Sequence, residues 1–197
     1  MNNYDNNYPR VILASTSKYK KRLMSRLCIE FDSVSPRVEE KIDLEESPES
    51  NILRLSREKA TAVAANNPDA VVISSDQAVA LEGKLFGKPQ TFEGAKKQLL
   101  KLQSNTHKLI TAVTVIHGDK RESSLEIHHM TMKPLKIGEI ARYLVKDRPL
   151  DSAGSYKIEG LGISLFSSIS GNDPVAIMGL PMIALIKILK NFKVDIP

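Results

Sequence analysis

Apolar residues fall in short blocks separated by polar punctuation, a pattern that predicts alternating strands and helices rather than a bundle. Val11-Ile12-Leu13-Ala14 reads as a buried strand. Ser15-Thr16-Ser17 behind it reads as the cap of a helix carrying Leu23, Met24 and Leu27. Phe31 to Val34 predicts a second strand. Ser47, with Pro48 at the first helical position, opens a long helix whose apolar face is Ile52, Leu55, Ala62 and Val63. Ala70 to Ile73 is another buried run that ends in Ser74-Ser75-Asp76-Gln77, and Glu82-Gly83 predicts a hairpin. Thr91 caps a helix over Ala95 to Leu102. Further on, strands around Leu109 to Ile116 and Leu125 to Met132 join across Gly118-Asp119, and a helix covers Ile137 to Val145. A glycine-rich stretch from Ala153 to Gly162 leads to a strand at Ile163 to Phe166. The last helix starts near Pro181, with Lys187, Lys190 and Lys193 toward its negative end. Crossovers and hairpins together predict an α/β fold, a mixed central sheet with flanking helices. Residues 1–9 read as a disordered tail, Asn-rich and aperiodic, and 10–197 as one domain.

Composition narrows the class. At 197 residues, with 42% hydrophobic and 26% charged residues, the chain is globular and of single-domain size. Cys28 is the one cysteine, which excludes an intramolecular disulfide and a thiolate zinc cage; between Leu27 and Ile29 it reads as buried apolar filler. The longest apolar stretch, 175–186, contains Gly179 and Pro181 and is shorter than the ~20 residues of a spanning helix. The polar N-terminus shows no secretory signal, so the chain is expected in the cytoplasm. The formal charge is +5, yet aromatics are only 5% and no nucleic-acid module is recognisable, so nucleic acid is not the expected partner. Basic residues cluster at 18–26 and acidic ones at 39–49, a source of cations for phosphates and of carboxylates for a divalent metal.

Four motifs carry candidate chemistry, each with a plain structural alternative. Ser15-Thr16-Ser17 at a helix start, with Lys20 in the first turn, suits phosphate oxygens; it also suits an ordinary cap. Asp76, at the end of a buried strand, lies where α/β sheets place ligands, or caps a turn. Glu39 and Glu40 offer a hard cation oxygen ligands, or are an acidic surface loop. Gly87-Lys88-Pro89 puts a lysine on a tight turn but lacks the lead-in of a P-loop. His128 and His129, adjacent on a strand, face opposite sides and cannot share a metal, and His107 and His117 read as core or loop residues.

Taken in order, these motifs resemble the Maf family of nucleoside-triphosphate pyrophosphatases. VILASTS at 11–17, Glu39-Glu40, Glu58-Lys59-Ala60, ISSDQ at 73–77 and GKP at 87–89 carry the resemblance. LDSAGSYKIEGLG at 150–162, GNDP and MGLPMIAL continue it, so that it spans about 10–193. The resemblance implies two lobes around a cleft, of the Maf/inosine-triphosphatase type, often as a homodimer. It implies hydrolysis between the α and β phosphates with a divalent cation, Mg²⁺ or Mn²⁺. By position, Asp76 is the proton acceptor; Glu40 and Asp76 engage the metal; Lys59 and Lys88 meet phosphates or developing charge; Ser15, Ser17 and Lys20 hold the triphosphate. The chain departs from the family at Lys18-Tyr19-Lys20-Lys21, where Pro-Arg-Arg is usual, so lysine replaces the planar fork of arginine. Glu39 also stands where Asp is usual.

Tyr19, Gln77 and Glu159 resemble the branch acting on 7-methyl-GTP, whereas the dTTP and UTP branch shows Arg, Thr and Gln. An aromatic face suits the cationic methylated purine, and a carboxylate suits guanine N1–H and the exocyclic amine. The alternatives are a dTTP/UTP pyrophosphatase of the same family and a non-enzymatic septum-associated or nucleic-acid-binding protein.

Overall fold

A computed structural model describes residues 9–196. The predicted tail, 1–9, lies outside the described residues except for Pro9. Seven strands form one mixed sheet: β1 (Val11–Leu13), β2 (Asp32–Ser33), β3 (Val71–Leu81), β4 (Lys84–Phe86), β5 (Thr106–His117), β6 (Lys120–Met132) and β7 (Phe166–Ser170). Their order is β2-β1-β3-β5-β6-β7, with β4 paired to β3. β1 runs parallel to β2 and β3, and every other pairing is antiparallel. This is the predicted mixed sheet. The helices are α1 (Lys18–Met24), α2 (Pro48–Ala64), α3 (Phe92–Leu102), α4 (Ile137–Asp147) and α5 (Met182–Asn191).

Strand alternation sorts the core. Ile12, Val72, Ala78, Ala80, Ile110 and Ala112 face α2, where Ile52, Leu55 and Val63 meet them. Leu13, Ile73, Val113 and Val115 face the other way, against α1 and α5 through Leu23, Met24, Leu185 and Leu189. Farther along that second face, Val79, Leu109 and Met130 pack on α3 and α4 through Leu99, Ile140 and Leu144. The α1/α5 group and the α3/α4 group, on successive stretches of that face, are the two lobes.

Local chemistry explains the element ends. Ser47 accepts from the Ser50 amide and Thr91 from that of Gly94, two of the three predicted caps; Ser17, at the third, makes no side-chain cap bond. Glu82 and Gly83, both at positive φ, turn β3 into β4. Several expectations are corrected. α1 stops at Met24 and tightens into a 3-10 turn over Ser25–Leu27. Cys28, expected to be buried, is exposed and left-handed where that turn ends (φ 54°). Ala62 is only half-buried; Ala60 and Lys59 complete the inner face of α2 instead. The strand expected at 163–166 is a 3-10 turn over Leu161–Leu165, and β7 follows it. Gly162 permits this: a Cβ there would lie 2.3 Å from the Lys157 carbonyl oxygen, so only a glycine lets the chain fold back this closely before it extends.

Candidate active site

The site forms where β3 loses a neighbour. One edge of β3 pairs with β5 from Val72 to Ala80. The other edge pairs with β1 only over Val71 to Ile73, and with β4 only over Val79 to Leu81. Residues 74–78 therefore lie on an open edge, beside a cavity of about 890 Å³ between the two lobes. Asp76 was expected at a strand end and lies mid-strand. The apolar run stops there, but β-pairing with β5 does not; Ser56 of α2 meets the Ser74 carbonyl and the Thr114 hydroxyl, and the Ser75 hydroxyl donates to the Gly179 carbonyl. Ten of the residues singled out from the sequence line this one cavity, and Glu39 does not: Ser15, Ser17, Tyr19, Lys20, Glu40, Lys59, Asp76, Gln77, Lys88 and Glu159.

Alternation along the open edge divides the work. Asp76 points toward α2, where Lys59 Nζ lies 3.0 Å from its Oδ2 and 2.8 Å from Glu40 Oε1. Asp76 Oδ1 accepts from the Gln77 amide at 2.9 Å. Burial works against the Lys59 charge, but Asp76 and Glu40 outweigh it and raise its pKa. Burial likewise opposes the Glu40 charge; the hydrogen bond and charge of Lys59 reverse this and hold it below the usual carboxylate range. Lys20 reaches in from α1 and donates to the Ser75 carbonyl. Its pKa is pushed down to about 8 by burial, with Asp76 pulling upward and Lys59 and Lys88 downward. Lys88 is exposed on the rim after β4.

Ser75 and Gln77 point to the opposite face. Ser75 Oγ donates to the Gly179 carbonyl at 2.7 Å. Gln77 Nε2 lies 2.8 Å from Thr111 Oγ1 and 3.0 and 3.1 Å from the carbonyls of Ala176 and Ile177. The amide nitrogen is thereby spent on the chain, and Oε1 is what Gln77 offers the cavity. Ser17 precedes α1 without a side-chain cap bond, while Ser15 Oγ accepts from the Ser17 amide at 3.2 Å. Glu159 is exposed on the cavity wall, and the Tyr19 hydroxyl donates to Asp151 at 3.3 Å.

Of the acidic pair, only Glu40 turns inward. Glu39 is exposed, pairs with Lys41 at 3.1 Å and does not line the cavity. Two carboxylates around one ammonium suit a hard divalent ion that takes its other ligands from water and phosphate oxygens. Among the described residues no group of three or more His, Cys, Asp or Glu forms a dedicated metal cage. Glu40 and Asp76, which share Lys59, are the carboxylates that could contribute oxygens to a divalent ion carried in by a phosphate ligand.

Sequence reasoning missed the residues that hold this geometry. Asn51, buried in the first turn of α2, donates to the carbonyls of Asp43, Glu46 and Ser47 and accepts from the Asp43 amide. Arg54 binds Glu46, Glu58, Asn51 Oδ1 and the Lys41 carbonyl. Together they fasten the segment that carries Glu40. Asp173 accepts from the amides of Val175, Ala176 and Ile183, which sets the 176–179 turn against Gln77. Their signal was faint, because polar residues in a helix face or a turn cluster usually serve solvation or capping.

The Maf-like protein family model matches residues 10–192. A 7-methyl-GTP pyrophosphatase of Xanthomonas axonopodis pv. citri is 46% identical over 189 residues, 96% of this chain and 100% of that protein. Proteins of the same name from Bdellovibrio bacteriovorus and Bordetella avium are 45% and 42% identical, covering 92% and 95% of this chain and 96% and 95% of their own. The solved Ham1 protein of Staphylococcus aureus overlays 78% of this chain and 89% of its own, with a TM-score of 0.46 and 14% identity.

Proposed function

The chain belongs to the Maf family, and from that premise we propose that it is a nucleoside-triphosphate pyrophosphatase acting on 7-methyl-GTP. Water attacks the α phosphorus in line, the bond from that phosphorus to the α–β bridging oxygen breaks, and pyrophosphate leaves with the electron pair. Asp76 accepts the water proton. Lys20, Lys59 and Lys88 face the phosphates and offset the charge that grows on the leaving group, and Ser15 and Ser17 hold the triphosphate by their hydroxyls. Glu40 and Asp76 would hold Mg²⁺ or Mn²⁺ together with phosphate oxygens; the ion supplies charge neutralisation when bound.

The observation that carries this reading is the Glu40–Lys59–Asp76 arrangement at the open edge of β3, facing Lys20 and Lys88. At the other end of the cavity, Tyr19 offers an aromatic face, while Glu159 and Gln77 Oε1 offer acceptors. Guanine presents two adjacent donors, N1–H and the amine, which acceptors alone can satisfy; uracil and thymine present one donor between two acceptors. N7-methylation adds a positive charge, which suits both the carboxylate and the ring. The test is pyrophosphate release from a panel of canonical and methylated nucleoside triphosphates with Mg²⁺ or Mn²⁺. A clear preference for 7-methyl-GTP is expected. Equal or better turnover of dTTP and UTP would move the chain to the pyrimidine branch, and binding without pyrophosphate release would end the enzymatic reading.

A further inference from the structure

Asp151 stands at the mouth of the cavity, in the turn after α4. Its Oδ1 lies 3.1 Å from Lys157 Nζ. Its Oδ2 lies 3.4 Å from Lys18 Nζ and accepts from the Tyr19 hydroxyl at 3.3 Å. Lys157 also donates to the carbonyls of Asp147 and Arg148 at the end of α4. Lys18 Nζ stands 5.0 Å from the centroid of the Tyr19 ring. One carboxylate thus ties the start of α1 to the opposite lobe and is shared by two ammonium groups. Burial alone would raise the Asp151 pKa; the hydrogen bond and charge of Lys157, with Lys18, hold it below the usual carboxylate range.

We propose that Asp151 is a specificity-determining positioning residue: it neutralises Lys18 and Lys157 and pins Tyr19, so that the base end of the cavity accepts a cationic purine. The idea rests on the 7-methyl-GTP reading above. Tyr19 can favour a cation only if its ring is held at the cavity wall and if nearby ammonium charge is compensated. Without Asp151, the Lys18 and Lys157 charges would stand uncompensated near a positively charged base, with Glu159 left as the carboxylate opposing them. A neutral base of the same shape would feel no such penalty. Asp151 therefore acts on the charge of the base rather than on its outline.

The experiment compares 7-methyl-GTP with GTP, which differ only in the N7 methyl group and its charge. In Asp151→Asn, the ratio of their kcat/KM values should fall about three- to tenfold at low salt, and the deficit should shrink near 0.5 M NaCl as exposed charges are screened, the Debye length being only ~3 Å at 1 M. Lys18→Gln removes one of the competing cations, so alone it should raise the ratio about twofold, and in the Asp151→Asn background it should restore most of what was lost. Circular dichroism and Tm establish that each variant is folded. Parallel loss on both nucleotides, without rescue by Lys18→Gln, would reduce Asp151 to a brace and overturn the proposal. An unchanged ratio would overturn it as well. A wild-type protein with no preference for 7-methyl-GTP over GTP would overturn the substrate reading and this proposal with it, whereas a preference that survives Asp151→Asn overturns this proposal alone.

Discussion

At the proposed phosphate end of the cleft, the Lys59–Asp76 pair is buried on regular elements, with exposed Glu40 and Lys88 around it; at the proposed base end, the Lys18–Asp151 pair is exposed. The Lys59 and Asp76 side chains are 9% and 12% exposed, on α2 and β3. Asp151 and Lys18 are 47% and 73% exposed, in a turn and at a helix start. Removing one partner of a buried pair strands a charge and costs about 3–5 kcal/mol, whereas an exposed pair contributes about 0–1 kcal/mol. The Lys59–Asp76 pair is therefore held by the fold itself, whereas the Lys18–Asp151 pair can change residues at little cost to the fold.

Substitutions at the two ends should break differently. Asp76→Asn removes the proposed proton acceptor and half of the proposed metal site, so pyrophosphate release should fall by about 10²–10⁴-fold or more on every nucleotide. Near-wild-type turnover would remove Asp76 from the mechanism. Glu159→Gln should instead discriminate among nucleotides. A charged hydrogen bond is worth about 1.5–3 kcal/mol, so kcat/KM for 7-methyl-GTP should fall roughly 10–150-fold. Pyrimidine triphosphates should be unaffected or improved, and equal loss on all would place Glu159 with the phosphates.

The pH profile sharpens the contrast further. Burial pushes Lys20 down to about 8, so it is an ammonium below that pH and an amine above it. If Lys20 meets the triphosphate, kcat/KM, which reports the free enzyme, should drop by up to about tenfold per pH unit above 8. Lys20→Arg should abolish that alkaline limb, since arginine stays charged; persistence of the limb would assign it to another group. The smallest effect is expected from Arg54→Lys. Lysine keeps the charge but cannot fork between Glu46, Glu58 and the Lys41 carbonyl. The Glu40 segment should loosen, with a few-fold rise in the Mg²⁺ concentration for half-maximal activity and faster amide exchange at 40–46. Unchanged values in both measurements would leave Arg54 as a surface residue.

Much of this was legible in the chain. Ser47-Pro48, Thr91 and Glu82-Gly83 mark element ends because capping and turn chemistry act over three or four residues. The apolar blocks identify β1, β3 and the inner face of α2 because burial on a strand or helix imposes a period. The same pattern stopped short at Asp76, because polar residues inside a sheet look like a strand end until their partners are known. Only those partners, Thr114 opposite Ser74 on β5 and Gly179 bonded to Ser75 among them, reveal that β3 continues. Cys28 shows the converse error, since apolar neighbours do not bury a residue in a left-handed turn.

The sequence by itself determined much of the alternation of elements, the caps at Ser47 and Thr91 and, through the motif order, ten of the residues that line the cavity. Tertiary structure alone decided which edge of β3 is left open, which of Glu39 and Glu40 turns inward, and that Asp151 meets Tyr19 across 132 residues of chain. The reason is range. Periodicity and capping are set by neighbours a few residues away, whereas an open strand edge or a shared carboxylate depends on segments that are brought together when the whole chain has folded.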